Sequence, residues 1–136
     1  MLTIQLYSFS YKLSGIPSDN TGNGGGFVFD CRFITNPGRK DEYKTKTGLD
    51  EDVKLFLESQ ENMQKFLEDV YDITDRAIQN YLERGFTSLF ISFGCTGGQH
   101  RSVYAAERTR EHIQKHFPDV KIELHHDQIE KGLKTT

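Results

Sequence analysis

The most constraining feature of the sequence is an apolar strand that runs directly into a glycine-rich turn and then into a helix. Residues 86–93, FTSLFISF, have the density of apolar residues expected of a strand buried on both faces. The segment GCTGGQHRS at 94–102, here called the glycine turn, follows at once, and a helical pattern continues to Pro118. A buried strand joined to a helix by a tight turn is typical of parallel α/β sheets.

The rest of the chain is predicted to contain three further strands and two further helices. Asp50 stands where it can cap an amphipathic helix, and a longer amphipathic helix ends at Gly85. The further strands are predicted at 2–10, 27–33 and 120–124. The resulting order β-β-α-α-β-α-β predicts one three-layer α/β domain over residues 1–136, with a mainly parallel sheet.

The charge distribution separates an acidic helical region from a basic remainder. Residues 50–76 carry nine acidic and three basic residues, while eleven acidic and fourteen basic residues elsewhere have a net charge of +3. The pattern of the acidic region is typical of a solvated helix face, so the more basic residues elsewhere in the chain remain free to bind anions.

No apolar run approaches the roughly 20 residues of a membrane span, and the N-terminus lacks the pattern of a signal peptide. With only two cysteines, we expect a cytoplasmic protein with free thiols and no membrane association.

The glycine turn contains the chemical groups of a phosphate site. Gly97 and Gly98 allow the backbone N–H groups from Thr96 to His100 to point inward, and the helix N-terminus adds a partial positive charge. Arg101 supplies a planar guanidinium that matches two phosphate oxygens, and His100 is expected to become cationic near neutral pH. The segment therefore predicts an anion cradle built by the protein alone, without a cofactor.

A catalytic alternative arises from the same segment. Cys95, Arg101 and Ser102 have the CxxGxxRS spacing of cysteine-dependent phosphatases, in which a thiolate of low pKa attacks phosphorus. Gly94 stands where those enzymes have a histidine, and no acidic loop for protonating a leaving group is readable. Catalysis by Cys95 and Arg101 is therefore kept as an alternative to binding.

Five separated motifs resemble the C-terminal domain of the RNase adapter protein RapZ, and the resemblance spans most of the chain. They are SFSYKLSGIP, FVFDCRFITNPGR, KTGLD, GCTGGQHRSVYAAERT and HHDQIEK. The resemblance implies an α/β fold that binds small regulatory RNAs, forms oligomers and senses glucosamine-6-phosphate around the glycine turn. The ligand-site residues that it implies are Asp30, Arg32, Cys95, Thr96, Gly97, Gly98, Gln99, His100, Arg101, Ser102 and His126.

Two departures narrow what this resemblance implies. Whole members of the family begin with a nucleotide-binding domain that carries a Walker A loop, and no G-x-x-x-x-G-K-[ST] occurs here. Nucleotide hydrolysis is therefore not carried over, and the chain is expected to be a free-standing sensor domain. The family's RNA-binding end is strongly basic, whereas the last seven residues of this sequence, EKGLKTT, contain only two basic residues, Lys131 and Lys134. The affinity for RNA should therefore be weak and salt-dependent.

Three functional hypotheses follow from the sequence. The first is a non-catalytic sensor or adaptor that binds a phosphorylated amino sugar and acts on an RNA or a regulatory protein, as a homo-oligomer if the family pattern holds. The second is the phosphatase, and the third is an RNA-binding module without metabolite control. His112 and His116 have a spacing that can bind zinc, but no third ligand matches it, so no metal site is predicted.

Overall fold

The sheet of the computed structural model is all-parallel and has the strand order β2-β3-β1-β4. The structure describes residues 1–132. The strands are β1 (Thr3–Ser10), β2 (Phe27–Asp30), β3 (Ser88–Cys95) and β4 (Lys121–His126). The parallel sheet confirms the α/β class that the strand, turn and helix pattern predicts.

Four helices accompany the sheet in the described part of the chain. They are α1 (Glu51–Glu58), α2 (Glu61–Glu83), α3 (Arg101–His116) and α4 (Asp127–Glu130), with 3-10 turns at Pro37–Arg39 and Asp41–Tyr43. The first three helices and the sheet follow the predicted order and fit the predicted three-layer α/β architecture. The single turn of α4 and the two 3-10 turns are too short to leave a periodic signal in the sequence.

The apolar core lies between the sheet and the helices. In β1 and β3, alternate residues face the helices, and Ile4 lies beside Leu89 as Leu6 lies beside Ile91. These four side chains are at most 2% exposed. The helix α3 covers β1 and β3. Because β3 is central, its opposite face is buried too, as its continuous apolar run predicts.

The other face of the sheet is covered by an irregular segment. Residues 11–26 cross this face, where the ring of Tyr7 stacks on Phe90 at 5.0 Å and on His125 at 5.2 Å. Among residues 1–132, no helix is both long enough and apolar enough to cross a membrane.

The second strand is shorter than predicted. It ends at Asp30 and not at Phe33, so the prediction of a strand over 27–33 is wrong for its last three residues. The Asp30 carboxylate accepts a hydrogen bond from the backbone N–H of Arg32 at 2.8 Å, which closes a turn two residues on. This side-chain competition for the backbone ends the strand, and the chain then bends across the carboxyl edge of the sheet.

Candidate functional site

A cavity of about 460 Å³ opens at the carboxyl edge of the parallel sheet, where the glycine turn leaves β3. This edge is where ligands usually bind in open α/β sheets. Two further segments complete the wall, residues 12–13 after β1 and residues 36–45 after β2. The residues of the glycine turn that line the cavity are Cys95, Thr96, Gly97, Gln99, His100 and Arg101.

The backbone of the glycine turn offers a run of unused hydrogen-bond donors. None of the N–H groups from Thr96 to Val103 donates to any residue within 1–132. Gly98 has a φ of 65°, a left-handed conformation that makes the tight change of direction possible. The carbonyl oxygen of Thr96 is occupied, because the Ser10 hydroxyl donates to it at 2.6 Å. These unpaired N–H groups stand at the start of a 16-residue helix, and they are donors of the kind that anions accept.

One side of the Arg101 guanidinium is hydrogen-bonded to the protein, and the other side has no partner among the described residues. The side chain is 4% exposed, and its Nη1 donates to the carbonyl oxygens of Arg32 at 2.9 Å and Ile34 at 2.8 Å. Its Nε is buried and has no partner among the described residues. The edge formed by Nε and Nη2 therefore remains available as a two-donor fork for a phosphate.

Gln99 and His100 attach the glycine turn to the segment that forms the opposite wall. The amide Nε2 of Gln99 donates to the carbonyl oxygens of Lys44 and Lys46, each at 2.7 Å. His100 Nε2 lies 2.8 Å from the carbonyl oxygen of Tyr43, so this nitrogen carries a proton and donates it. Both side chains are at least nine-tenths buried, so they act as structural ties between the two walls.

The protonation state of His100 differs from the expectation. Burial disfavours the imidazolium and lowers the pKa of His100 below its ordinary value. The expectation that this residue becomes cationic near neutral pH is therefore wrong. His100 is a neutral donor to Tyr43, and the positive charge of the cavity has to come from other residues.

A pH dependence of stability follows from the lowered pKa of His100. The unfolded chain takes up this proton near pH 6.5, whereas the folded protein resists protonation until a lower pH. The free energy of unfolding should therefore fall as the pH is lowered from 7 through the ordinary histidine range. Denaturation measured from pH 7.5 to 5.5 tests this expected fall in stability. An NMR titration that compares His100 with exposed His116 should accompany it. An ordinary pKa for His100 would contradict the prediction.

Cys95 and Ser102 form a buried pair beneath the cradle. The Sγ of Cys95 lies 3.1 Å from the Oγ of Ser102, and both side chains are at most 2% exposed. Cys95 nevertheless lines the cavity, since it ends β3 just where the turn begins. Ser102 stands one residue into α3, so the helix start fixes its hydroxyl against the sulfur.

Asp30 and Arg32 lie outside the cavity lining. Their side chains form an ion pair with 2.7 Å between Arg32 Nη2 and Asp30 Oδ2, and each side chain is nearly half exposed. The hydrogen bond from Arg32 is the main reason why the pKa of Asp30 lies below its ordinary value. The Arg32 guanidinium also stacks 3.8 Å above the ring of Tyr11. Arg32 contributes to the site through its carbonyl oxygen, which holds Arg101.

His126 also lies outside the cavity lining, in a buried polar chain of its own. Its Nδ1 lies 2.7 Å from the Ser8 hydroxyl, and its Nε2 lies 2.7 Å from a carboxylate oxygen of Glu107. Burial by itself would raise the pKa of Glu107, but hydrogen bonds from His126 and Arg110 outweigh it and lower that pKa. Of the basic residues proposed for RNA, Lys131 follows α4, and Lys134 lies outside the described residues.

Six cavity residues were not predicted as ligand contacts, namely Lys12, Leu13, Asn36, Gly38, Lys44 and Thr45. Lys12 follows β1, and Asn36 and Lys44 lie in the segment after β2. Lys12 lies in one of the motifs that carried the family resemblance, and Lys44 lies in a basic loop, but neither signal specifies a ligand contact. No Asp or Glu within residues 1–132 lines this cavity. Arg101 also lines the cavity, and of the three cationic residues the ammonium group of Lys44 pairs with the carboxylate of Asp41 at 2.9 Å, outside the lining residues.

Comparison with known proteins found a matching family model and similar curated proteins. The family model for the RapZ C-terminal domain matches residues 2–130. Over 129 residues, the chain is 40% identical to a nucleotide-binding protein of Thermotoga sp. (strain RQ2) and 42% identical to one of Clostridium beijerinckii. These alignments include 95% of this chain but only 43% and 42% of those relatives. The chain thus spans less than half the length of the curated relatives that it matches.

Proposed function

This chain belongs to the RapZ C-terminal domain family, and from that premise we propose that it is a sensor or adaptor domain for a phosphorylated small molecule. The proposed ligand is an amino-sugar phosphate of the glucosamine-6-phosphate type, which is the ligand that the family resemblance implies. The observation that carries this proposal is the run of unpaired N–H groups beside the free edge of Arg101. A phosphate dianion satisfies both sets of donors at once.

The charge of the cavity supports phosphate as the anchoring group. Lys12 and Arg101 line the cavity without a carboxylate among the described lining residues, while the ammonium group of Lys44 is paired with Asp41 outside the lining. An ammonium group on the sugar therefore finds hydroxyl and amide oxygens but no opposite charge. We expect the phosphate to supply most of the affinity and the amine to contribute only to discrimination among sugar phosphates. The cavity volume of about 460 Å³ lies within the usual range for small-ligand sites.

The ties made by the cradle residues provide a route from ligand to partner. Arg101 holds the segment after β2, while Gln99 and His100 hold the carbonyls of residues 43–46. A ligand that orders the glycine turn would also order these two surface segments. We propose that a partner, an RNA or a regulatory protein, senses this difference.

An amide-resolved NMR titration tests the proposed ligand site. Glucosamine-6-phosphate should shift the amides of Thr96 to Arg101 and those of residues 43–46, and it should saturate at a lower concentration than inorganic phosphate. Glucose-6-phosphate should bind within about tenfold of the amino sugar, because phosphate contacts dominate. Unphosphorylated glucosamine is the control and should cause no shift in the glycine turn. Failure of all phosphate compounds to shift these amides would refute the proposed function.

A further inference from the structure

We propose that the glycine turn also hydrolyses phosphates whose leaving group departs without being protonated, namely acyl and aryl phosphates, with Cys95 as the nucleophile. This inference rests on the proposed phosphate site, since the same donors must hold the phosphoryl group. It goes beyond binding because it assigns a chemical step to a thiol that binding does not require.

Cys95 lies in the cavity beside a hydroxyl, a helix start and cationic side chains. The Oγ of Ser102 lies 3.1 Å from Sγ and can donate a hydrogen bond to it. The start of α3 and the side chains of Arg101 and Lys12 line the same cavity as this sulfur. A helix N-terminus and neighbouring cations are the features that stabilise nucleophilic thiolates in proteins.

The donors of the glycine turn are arranged for a transferring phosphoryl group. Cys95 ends β3 and Arg101 begins α3, so nucleophile and guanidinium enter the cavity from the two ends of one short loop. The loop between them supplies the unpaired N–H groups, and Arg101 supplies the buried, unpartnered Nε. These groups can hold the non-bridging oxygens, whose charge must be stabilised during transfer.

The chemical step balances without any additional reagent except water. The Cys95 thiolate gives an electron pair to phosphorus, an S–P bond forms, and the P–O bond to the leaving group breaks. The leaving group departs as a carboxylate or a phenolate. Water then attacks phosphorus, the S–P bond breaks, the thiolate is restored, and inorganic phosphate leaves with one proton passing to solvent. The net reaction is hydrolysis, and nothing is oxidised or reduced.

The absence of an acid limits the substrates. No carboxyl group within residues 1–132 lines the cavity, and the proton on His100 Nε2 is donated to the Tyr43 carbonyl. A sugar alkoxide is too basic to leave without a proton, whereas carboxylates and phenolates have conjugate acids of pKa roughly 4 to 10. Sugar phosphates are therefore expected to be ligands of this site and not its substrates.

The test uses acetyl phosphate and p-nitrophenyl phosphate with the full chain. We expect saturable release of phosphate, competitive inhibition by glucosamine-6-phosphate, and at least about a 100-fold lower rate in Cys95→Ser, the scale of losing a nucleophile. Cys31→Ala is the matched control, because burial raises the pKa of the Cys31 thiol far above its ordinary value and this residue does not line the cavity.

The outcomes separate this inference from the proposed function. Binding of sugar phosphate without turnover of either probe overturns the phosphatase and leaves the sensor proposal standing. Turnover that persists in Cys95→Ser also overturns the phosphatase, provided that Cys95→Ser still binds glucosamine-6-phosphate by NMR and is therefore folded. The absence of both binding and turnover refutes both proposals.

Discussion

Replacing Arg101 with lysine is expected to raise the dissociation constant of a sugar phosphate about 100-fold, because the two-donor edge of the guanidinium disappears while the charge remains. Two charge-assisted hydrogen bonds to a phosphate contribute together about 3 kcal/mol, which corresponds to that factor. Arg101→Lys also removes donors from the carbonyl oxygens of Arg32 and Ile34. We therefore expect a lower free energy of unfolding in addition to the weaker binding.

The matched control for Arg101→Lys is Arg76→Lys. Arg76 is an exposed residue of α2 that pairs with Asp72 one helical turn away, so this variant should change neither affinity nor stability appreciably. Binding should be measured by calorimetry or NMR well below the unfolding midpoint of each variant, so that loss of fold is not read as loss of affinity. A folded Arg101→Lys protein with unchanged affinity would show that the guanidinium fork does not bind the phosphate.

Replacing Gly98 with alanine is expected to destabilise the protein by about 2–6 kcal/mol. The φ of 65° at Gly98 is strained for any residue with a side chain, which costs about 1–3 kcal/mol. A Cβ there would also lie 2.8 Å from the backbone nitrogen of Ser10 and 3.0 Å from the Cβ of Gln128. Such overpacking adds about 1–3 kcal/mol, and neither neighbour can move far, since Ser10 ends β1 and Gln128 is buried.

The neighbouring residue provides the control for this prediction. A Cβ at Gly97 meets no heavy atom within 4 Å, and this glycine does not have a positive φ. Gly97→Ala should therefore keep the free energy of unfolding within about 0.5 kcal/mol of the original. Because Gly97 lines the cavity, any effect of this variant should appear in ligand affinity. Urea denaturation of Gly98→Ala and Gly97→Ala measures the free energy of unfolding of each variant. Equal losses of stability would contradict the structural difference between the two glycines.

Local sequence signals predicted most of the fold because they report on burial, which has a simple periodicity in strands and helices. The continuous apolar run of β3, joined by the glycine turn to a helix, led to a parallel sheet, which the structure confirms. The signals failed where a side chain competes with the backbone. The carboxylate of Asp30 ends β2 through its bond to Arg32 N–H, which periodicity does not report.

The sequence by itself determined which donors of the proposed cradle lie close together, since they belong to one short loop. The glycines, the helix start and Arg101 are contiguous, so their closeness follows from covalent connection and needs no knowledge of the rest of the chain. The predicted groups do meet at one cavity, except for Gly98 and Ser102, which pack beneath it, and the more distant Asp30, Arg32 and His126.

Tertiary structure alone decided the opposite wall and the charge of the site. Lys12 comes from the loop after β1, whereas Asn36 and Lys44 come from the segment after β2, and only the strand order brings these two segments to the edge where the glycine turn lies. The neutrality of His100 likewise depends on burial under residues 43–46. Proximity between distant segments and desolvation of a side chain are properties of the packed chain, so no local pattern of residues specifies them.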